Sequence, residues 1–172
     1  MKEVLPKKSS SAPSSAIGGS GAITVKLAST AAIVSWRPQH TQFLGRAFAN
    51  CLRGGAKVLL LNGPLGAGKT CFVQGLAVGL GVKEGIKSPT YTLMMEYELP
   101  QGGKLYHLDC YRSDTADVLL AETVAEFLGE EKNLLVVEWA EQLPAGLPLA
   151  GWQIDFQYRD EESRRLCYTQ LR

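Results

Sequence analysis

The sequence predicts an α/β fold with a mixed sheet, parallel at its centre and flanked by helices. Three observations carry that expectation. The apolar run Lys57-Val-Leu-Leu-Leu61 leads into the glycine-rich string Gly63–Thr70 and then into a helix-like stretch, Lys69–Leu80. A second apolar run, Leu134-Leu-Val-Val137, closes on an acid. Two strand-like stretches, Tyr91–Leu99 and Lys104–Asp109, flank Pro100-Gln-Gly-Gly103, the spacing of an antiparallel hairpin. Short apolar runs read as buried strands, and strand–helix alternation favours parallel pairing.

The elements follow in order. Residues from Met1 to about Thr30 are rich in Ser, Ala and Gly and hold one acid, Glu3. They lack the apolar content to offset their ordering entropy, so residues 1–30 read as a disordered extension. The start is basic and poor in acids, but it lacks the arginines of a transit peptide and the apolar core of a secretory signal. The folded domain is expected over 31–172. Ala31–Trp36 suits a short edge strand. After Pro38, the residues Phe43, Leu44, Ala47, Phe48, Cys51 and Leu52 recur on one helical face, and Gly54-Gly55 stops that helix. In the next helix Phe72, Val73, Leu76 and Leu80 form the apolar face. Gly75 and Gly79 share a face and suggest close packing against the sheet, and Gly81 ends the element. Ser113 or Asp114 can cap a further helix to about Leu128, with Gly129 at its end. Trp152–Tyr158 alternates as a strand, and Arg165–Leu171 can pair back on it across Arg159–Ser163.

Composition narrows the function. The chain has 172 residues, enough for one domain with a sizeable core, and 45% of them are hydrophobic. Eighteen basic and seventeen acidic residues give a net charge of +1, so there is no general polybasic pull towards nucleic acid or membrane. No run approaches the ~18 apolar residues of a membrane span. Cys51, Cys71, Cys110 and Cys167 form no CxxC pair, which argues against zinc; they read as reduced thiols in a cytoplasmic setting.

Gly63-Pro-Leu-Gly-Ala-Gly-Lys-Thr70 matches G-x-x-x-x-G-K-[ST] in full. Its glycines let the backbone curl so that successive N–H groups face an anion, and the following helix adds its positive dipole end. The expected fold is therefore that of a P-loop NTPase. Gly63, Leu65, Gly66, Ala67, Gly68, Lys69, Thr70 and Cys71 are the expected nucleotide contacts. Lys69 can reach the β- and γ-phosphates, and Thr70 can place its hydroxyl on Mg²⁺. A glycine-rich turn with an incidental lysine would not account for both the strand before the loop and the helix after it.

Such a loop needs acids, and these sit at the carboxyl ends of neighbouring strands. Asp109 ends Leu105-Tyr-His-Leu108, and Glu138 ends Leu134-Leu-Val-Val137. Asp109 is the better candidate for Mg²⁺, with Thr70; Glu138 can orient or polarise water, or join the metal. Taken alone, either acid would read as a strand-end cap or a salt-bridge partner. His107 reads as a packing histidine rather than a catalytic base. For Arg112, a phosphate or partner contact and a structural salt bridge stand open equally. Met94-Met95 reads as strand packing, and Trp36 and Trp152 as core or edge aromatics.

Four segments occur together in this order: Leu61-Asn-Gly-Pro-Leu-Gly-Ala-Gly-Lys-Thr70, Lys87-Ser-Pro-Thr-Tyr-Thr-Leu93, Tyr106-His-Leu-Asp-Cys-Tyr-Arg112 and Val137-Glu-Trp139. From about Ala31 to the C-terminus the chain closely resembles the TsaE (YjeE) family of bacterial ATPases. The resemblance implies a cytoplasmic, Mg²⁺-dependent ATPase. It would support threonylcarbamoyladenosine formation on tRNA at the adenosine beside the anticodon, with TsaB and TsaD as partners and tRNA engaged indirectly. It implies that Lys69 and Thr70 hold phosphate and metal, that Asp109 is the metal-side acid, and that Glu138 is a second catalytic acid. It further implies that Thr90 lies in a segment sensing the γ-phosphate and that Trp139 lies beside the nucleotide. The family often has Asp where this chain has Pro64, and Thr where it has Cys71. Pro64 donates no backbone N–H, which puts hydrolysis rate and partner coupling at issue more than binding.

Two other functions share the loop. A small-molecule kinase should carry an arginine-bearing lid, and between Asp109 and Glu138 only Arg112 is an arginine. A nucleotide-dependent binding module would bind ATP without turning it over. No obvious arginine finger is present in the chain, a residue worth ~10³–10⁵ in rate where one acts, so intrinsic hydrolysis is expected to be slow.

Overall fold

A computed structural model of the chain describes residues 30–53, 57–111, 131–143 and 150–171. The apolar runs become seven strands of one sheet: β1 (Thr30–Ser35), β2 (Val58–Asn62), β3 (Met94–Glu98), β4 (Lys104–Asp109), β5 (Leu134–Glu138), β6 (Gly151–Tyr158) and β7 (Arg164–Leu171). Their order is β1-β7-β6-β2-β5-β4-β3. The central strands β6, β2, β5 and β4 run parallel, and antiparallel partners close both sides. This is the predicted mixed sheet, parallel at its centre. Thr30 already pairs with Thr169, so it belongs to the folded domain rather than to the extension. The expected disorder before it, the Gly54-Gly55 stop, Arg112 and the helix from Ser113 or Asp114 to Leu128 lie outside the described residues.

Two helices, α1 (Pro38–Arg53) and α2 (Lys69–Leu80), cover one face of the sheet. Pro38 opens α1, where its missing N–H costs nothing. Phe48 ties the layers together. Its ring meets Phe72 on α2 at 5.8 Å, Trp152 on β6 at 5.8 Å and Tyr168 on β7 at 5.7 Å between centroids. Aromatic pairs at such distances add about 0.5–1.5 kcal/mol each beyond the area they bury. The opposite face holds a smaller cluster around Val58, Tyr106, Leu108, Leu135 and Val137. Tyr106 is core. Met94 and Met95 pack against the two clusters, as read. Trp152 is also core, whereas Trp36 is exposed under the Arg159 guanidinium. Among the described residues no helix is long and apolar enough to cross a membrane.

Two expectations about the helices need correction. The buried face of α1 is Thr41, Gly45, Ala47, Phe48, Ala49 and Leu52; Phe43 is exposed, beside Val78 on the outer surface where α1 meets α2. Gly75 and Gly79 admit α1, not the sheet. A Cβ on Gly75 would lie 1.9 Å from the Gln42 carbonyl oxygen, and one on Gly79 would lie 2.5 Å from that of Arg46. Gly45 of α1 reciprocates against the Phe72 carbonyl. The helices cross backbone to backbone, which draws Phe43 away from the core.

Gly75→Ala should therefore destabilise the protein despite a helix-propensity gain of about 1 kcal/mol, because overpacking against a fixed carbonyl costs about 1–3 kcal/mol or more. Gly85, with nothing within 4 Å of its Cβ position, is the control: Gly85→Ala should stay within about 0.5 kcal/mol of the parent in urea denaturation. Equal midpoints for the two variants would contradict the backbone crossing.

Candidate functional site

Parallel pairing brings the functional residues to one edge of the sheet. Glu138 of β5 pairs with Leu61 of β2 on one side and with Asp109 of β4 on the other. The chain leaves β2 at Asn62 and turns through Gly63, Gly66 and Gly68, all at positive φ, before α2 begins at Lys69. Gly63 (φ 130°) is fixed twice over, since a Cβ there would lie 2.4 Å from the Phe156 carbonyl oxygen. No side chain caps the start of α2. Its first N–H groups lack intrahelical partners, as at any helix start, and they open on the loop.

Between the loop and the strand tips lies a cleft of about 220 Å³ lined by most of the expected residues: Leu65 to Cys71, Thr90, Asp109, Glu138 and Trp139. Gly63 stays behind the lining. Its carbonyl accepts Lys69 Nζ, and its N–H donates to Glu141 Oε1 at 3.3 Å. Lys69 is nearly buried and also donates to the Pro64 carbonyl at 3.1 Å, with the Trp139 ring centroid 3.7 Å from its Nζ. Burial pushes the Lys69 ammonium below its ordinary pKa, while Glu138, Glu141 and Asp109 pull it back up. Cys71 reaches the cleft rim, and its thiol donates to the Pro38 carbonyl at 3.3 Å.

The two acids are held differently. Glu138 Oε2 accepts Thr70 Oγ1 at 2.9 Å, and Oε1 meets His107 Nε2 at 2.9 Å. Asp109 Oδ2 accepts Thr90 Oγ1 at 2.6 Å and Ser88 Oγ at 3.3 Å, and Oδ1 accepts the Tyr111 N–H at 3.0 Å. Thr90 is thus joined to Asp109 through its own hydroxyl. Trp139 enters the left-handed region at φ 58°, starts the short turn Ala140–Gln142, and meets the Tyr111 ring at 4.8 Å.

Three residues at this site escaped the sequence reading of roles. Ser88 and Tyr111 line the cleft, and Glu141 anchors the start of the loop. Ser88 and Tyr111 lie inside the quoted segments, so their hydroxyl and ring were visible there. Glu141 had no local signal; its partner is 78 positions away. His107 is a buried packing residue, as read, but its ring also holds a site carboxylate.

A second cleft, about 210 Å³, lies on the other flank of the loop, where Arg37, Pro38, Thr41, Gly66 to Gly68, Cys71, Glu162 and Arg164 meet. The loop therefore separates a pocket lined by Lys69, Asp109 and Glu138 from one lined by Arg37, Glu162 and Arg164.

The family model described as "Threonylcarbamoyl adenosine biosynthesis protein TsaE" matches residues 36–166. A tRNA threonylcarbamoyladenosine biosynthesis protein TsaE of Nostoc is 39% identical over 136 residues, 76% of this chain and 80% of its own length. That of Treponema pallidum is 40% identical over 121 residues, covering 67% and 82%. That of Bacillus subtilis is 35% identical over 144 residues, covering 79% and 85%. The crystal structure of Bacillus subtilis YdiB superposes with a TM-score of 0.64 at 28% identity, over 83% of this chain and 86% of that one. With the P-loop architecture and these matches together, the chain belongs to the TsaE family, whose role is in tRNA threonylcarbamoyladenosine biosynthesis.

Proposed function

We propose that this chain is a Mg²⁺-dependent ATPase, slow alone, that serves tRNA threonylcarbamoylation in the cytoplasm together with TsaB and TsaD partners. The observation that carries the reading is the hydrogen bond from Thr70 Oγ1 to Glu138 Oε2 at the mouth of the glycine loop. It puts a hydroxyl and a carboxylate where a phosphate-bound cation would be gripped. One hydroxyl and two carboxylates beside a helix start fit Mg²⁺, which takes oxygen donors and keeps phosphate oxygens and waters among its ligands. Among the described residues no group of three His, Cys, Asp or Glu could hold a metal without such help.

The chain's own residues divide the work. The loop N–H groups and Lys69 bind the β- and γ-phosphates. Thr70 and Glu138 form the metal side, so this geometry favours Glu138 over Asp109 as the principal metal-side acid. Asp109, tied to Thr90 and Ser88, faces the γ-phosphate through the 88–93 segment and can orient water there. When bound, Mg²⁺ would neutralise charge developing on the β- and γ-oxygens. No arginine lines the acid-side cleft among the described residues, which fits slow basal turnover and a cation brought by a partner.

Lys69→Ala should weaken ATP binding by about 1.5–3 kcal/mol, an order of magnitude or more in Kd, as calorimetry would read it. Asp109→Asn and Glu138→Gln should keep ATP affinity within a few-fold while lowering hydrolysis about 10²-fold or more. Normal rates in both acid variants would remove them from the reaction. Adding TsaB and TsaD should raise phosphate release from ATP. ATP that binds tightly yet is never turned over, even with both partners, would make the chain a nucleotide-dependent binding module.

A further inference from the structure

His107 is the one histidine of β4 and is fully buried. Its position is set by the sheet. It pairs with Val136 of β5, whereas Asp109, two residues on, pairs with Glu138. Residues two apart on a strand share a face, so His107 lies one layer beneath the two acids. Nε2 stands 2.9 Å from Glu138 Oε1, and Nδ1 is buried with no hydrogen-bond partner among the described residues.

A carboxylate accepts, so the 2.9 Å contact is made by a proton on Nε2. One carboxylate oxygen of Glu138 is then committed to a donor that the core holds rigidly, and the carboxylate plane is fixed. Only Oε2 remains to face Thr70 and the cleft.

We propose that His107 is a positioning residue for Glu138: it donates Nε2–H to Oε1 and so aims Oε2 at the metal side of the loop. The inference rests on the functional reading above. Donors behind metal-binding carboxylates typically carry 10–100-fold in metal affinity or activity. A histidine serving only as core filling would carry none of this through its nitrogen.

The test compares three proteins: the parent, His107→Leu, which keeps apolar bulk and removes the donor, and His107→Gln, whose amide nitrogen can reach the Nε2 position. Circular dichroism and thermal melts establish folding. Calorimetry then gives ADP affinity with Mg²⁺ and with EDTA, and phosphate release with TsaB and TsaD gives kcat and KM. His107→Leu should lose about tenfold or more of kcat, with KM and ADP affinity, in Mg²⁺ and in EDTA alike, within about threefold; His107→Gln should recover most of the loss. A second readout needs neither nucleotide nor metal. The chain has only two histidines, so ¹⁵N spectra of the histidine-labelled parent should show His107 carrying a hydrogen-bonded proton on Nε2. A His107 ring with no proton on Nε2, an unaltered His107→Leu variant, or a His107→Gln variant as impaired as His107→Leu would each overturn the proposal. A parent that binds no nucleotide would instead overturn the functional reading, with the ¹⁵N result still reporting whether the hydrogen bond exists.

Discussion

Glu138 is paired in register with Leu61 on one side and with Asp109 on the other, and the site's geometry follows from that pairing. Parallel strands finish at the same edge, so three chain segments far apart in sequence deliver a loop and two acids to one place. A slip of one residue in β5 would turn Glu138 to the opposite face, away from Thr70, because side chains alternate along a strand. The apolar residues before it prevent that slip. Leu134 and Val136 belong to the helix-covered face, and Leu135 and Val137 to the other, so both faces are anchored.

The loop depends on the same sheet. Gly63 follows β2 and lies against the Phe156 carbonyl of β6, the parallel neighbour on the other side of β2. Lys69 folds back onto the Gly63 and Pro64 carbonyls, and Glu141, just beyond β5, takes the Gly63 N–H. The turn is thus clamped by both neighbours of β2. Pro64 fits this arrangement: it contributes its carbonyl, accepting from Lys69 and from the Ala67 N–H at 3.2 Å, and a missing N–H is no loss to either bond.

Much of this was legible in the sequence because the signals are local. Strand runs, hairpin turns and the glycine string each announce themselves within about ten residues, and an acid directly after a strand can only sit at its tip. What was not legible depends on contacts across the chain. Helical periodicity in α1 gave an apolar stripe but not its neighbour, so Phe43 was placed inside when the glycine crossing with α2 turns it out. Gly75 and Gly79 signalled close approach without saying to what. His107 and Glu138 are 31 positions apart, and Glu141 and Gly63 are 78 apart; no local pattern encodes either pair. Thr90 was located through family likeness, and its bond to Asp109 gives that placement a physical cause.

The two acids beside the loop are held in different ways. Glu138 is held from strand and helix, by His107 of β4 and Thr70 of α2. Both groups belong to regular structure: His107 is buried in the core and Thr70 lines the cleft. Asp109 also ends a strand, but its side chain is held by Ser88 and Thr90, which lie in a segment of turns rather than in the sheet. That segment passes through Leu93 at φ 66°, an uncommon conformation for a branched side chain, just before β3 begins. A carboxylate fixed by the core keeps its place whatever the loops do. One fixed by loop hydroxyls changes its hydrogen bonding whenever that loop moves, and its oxygens are freed for other partners. A core-held carboxylate and a loop-coupled one thus stand on adjacent strand ends beside the same glycine-rich turn.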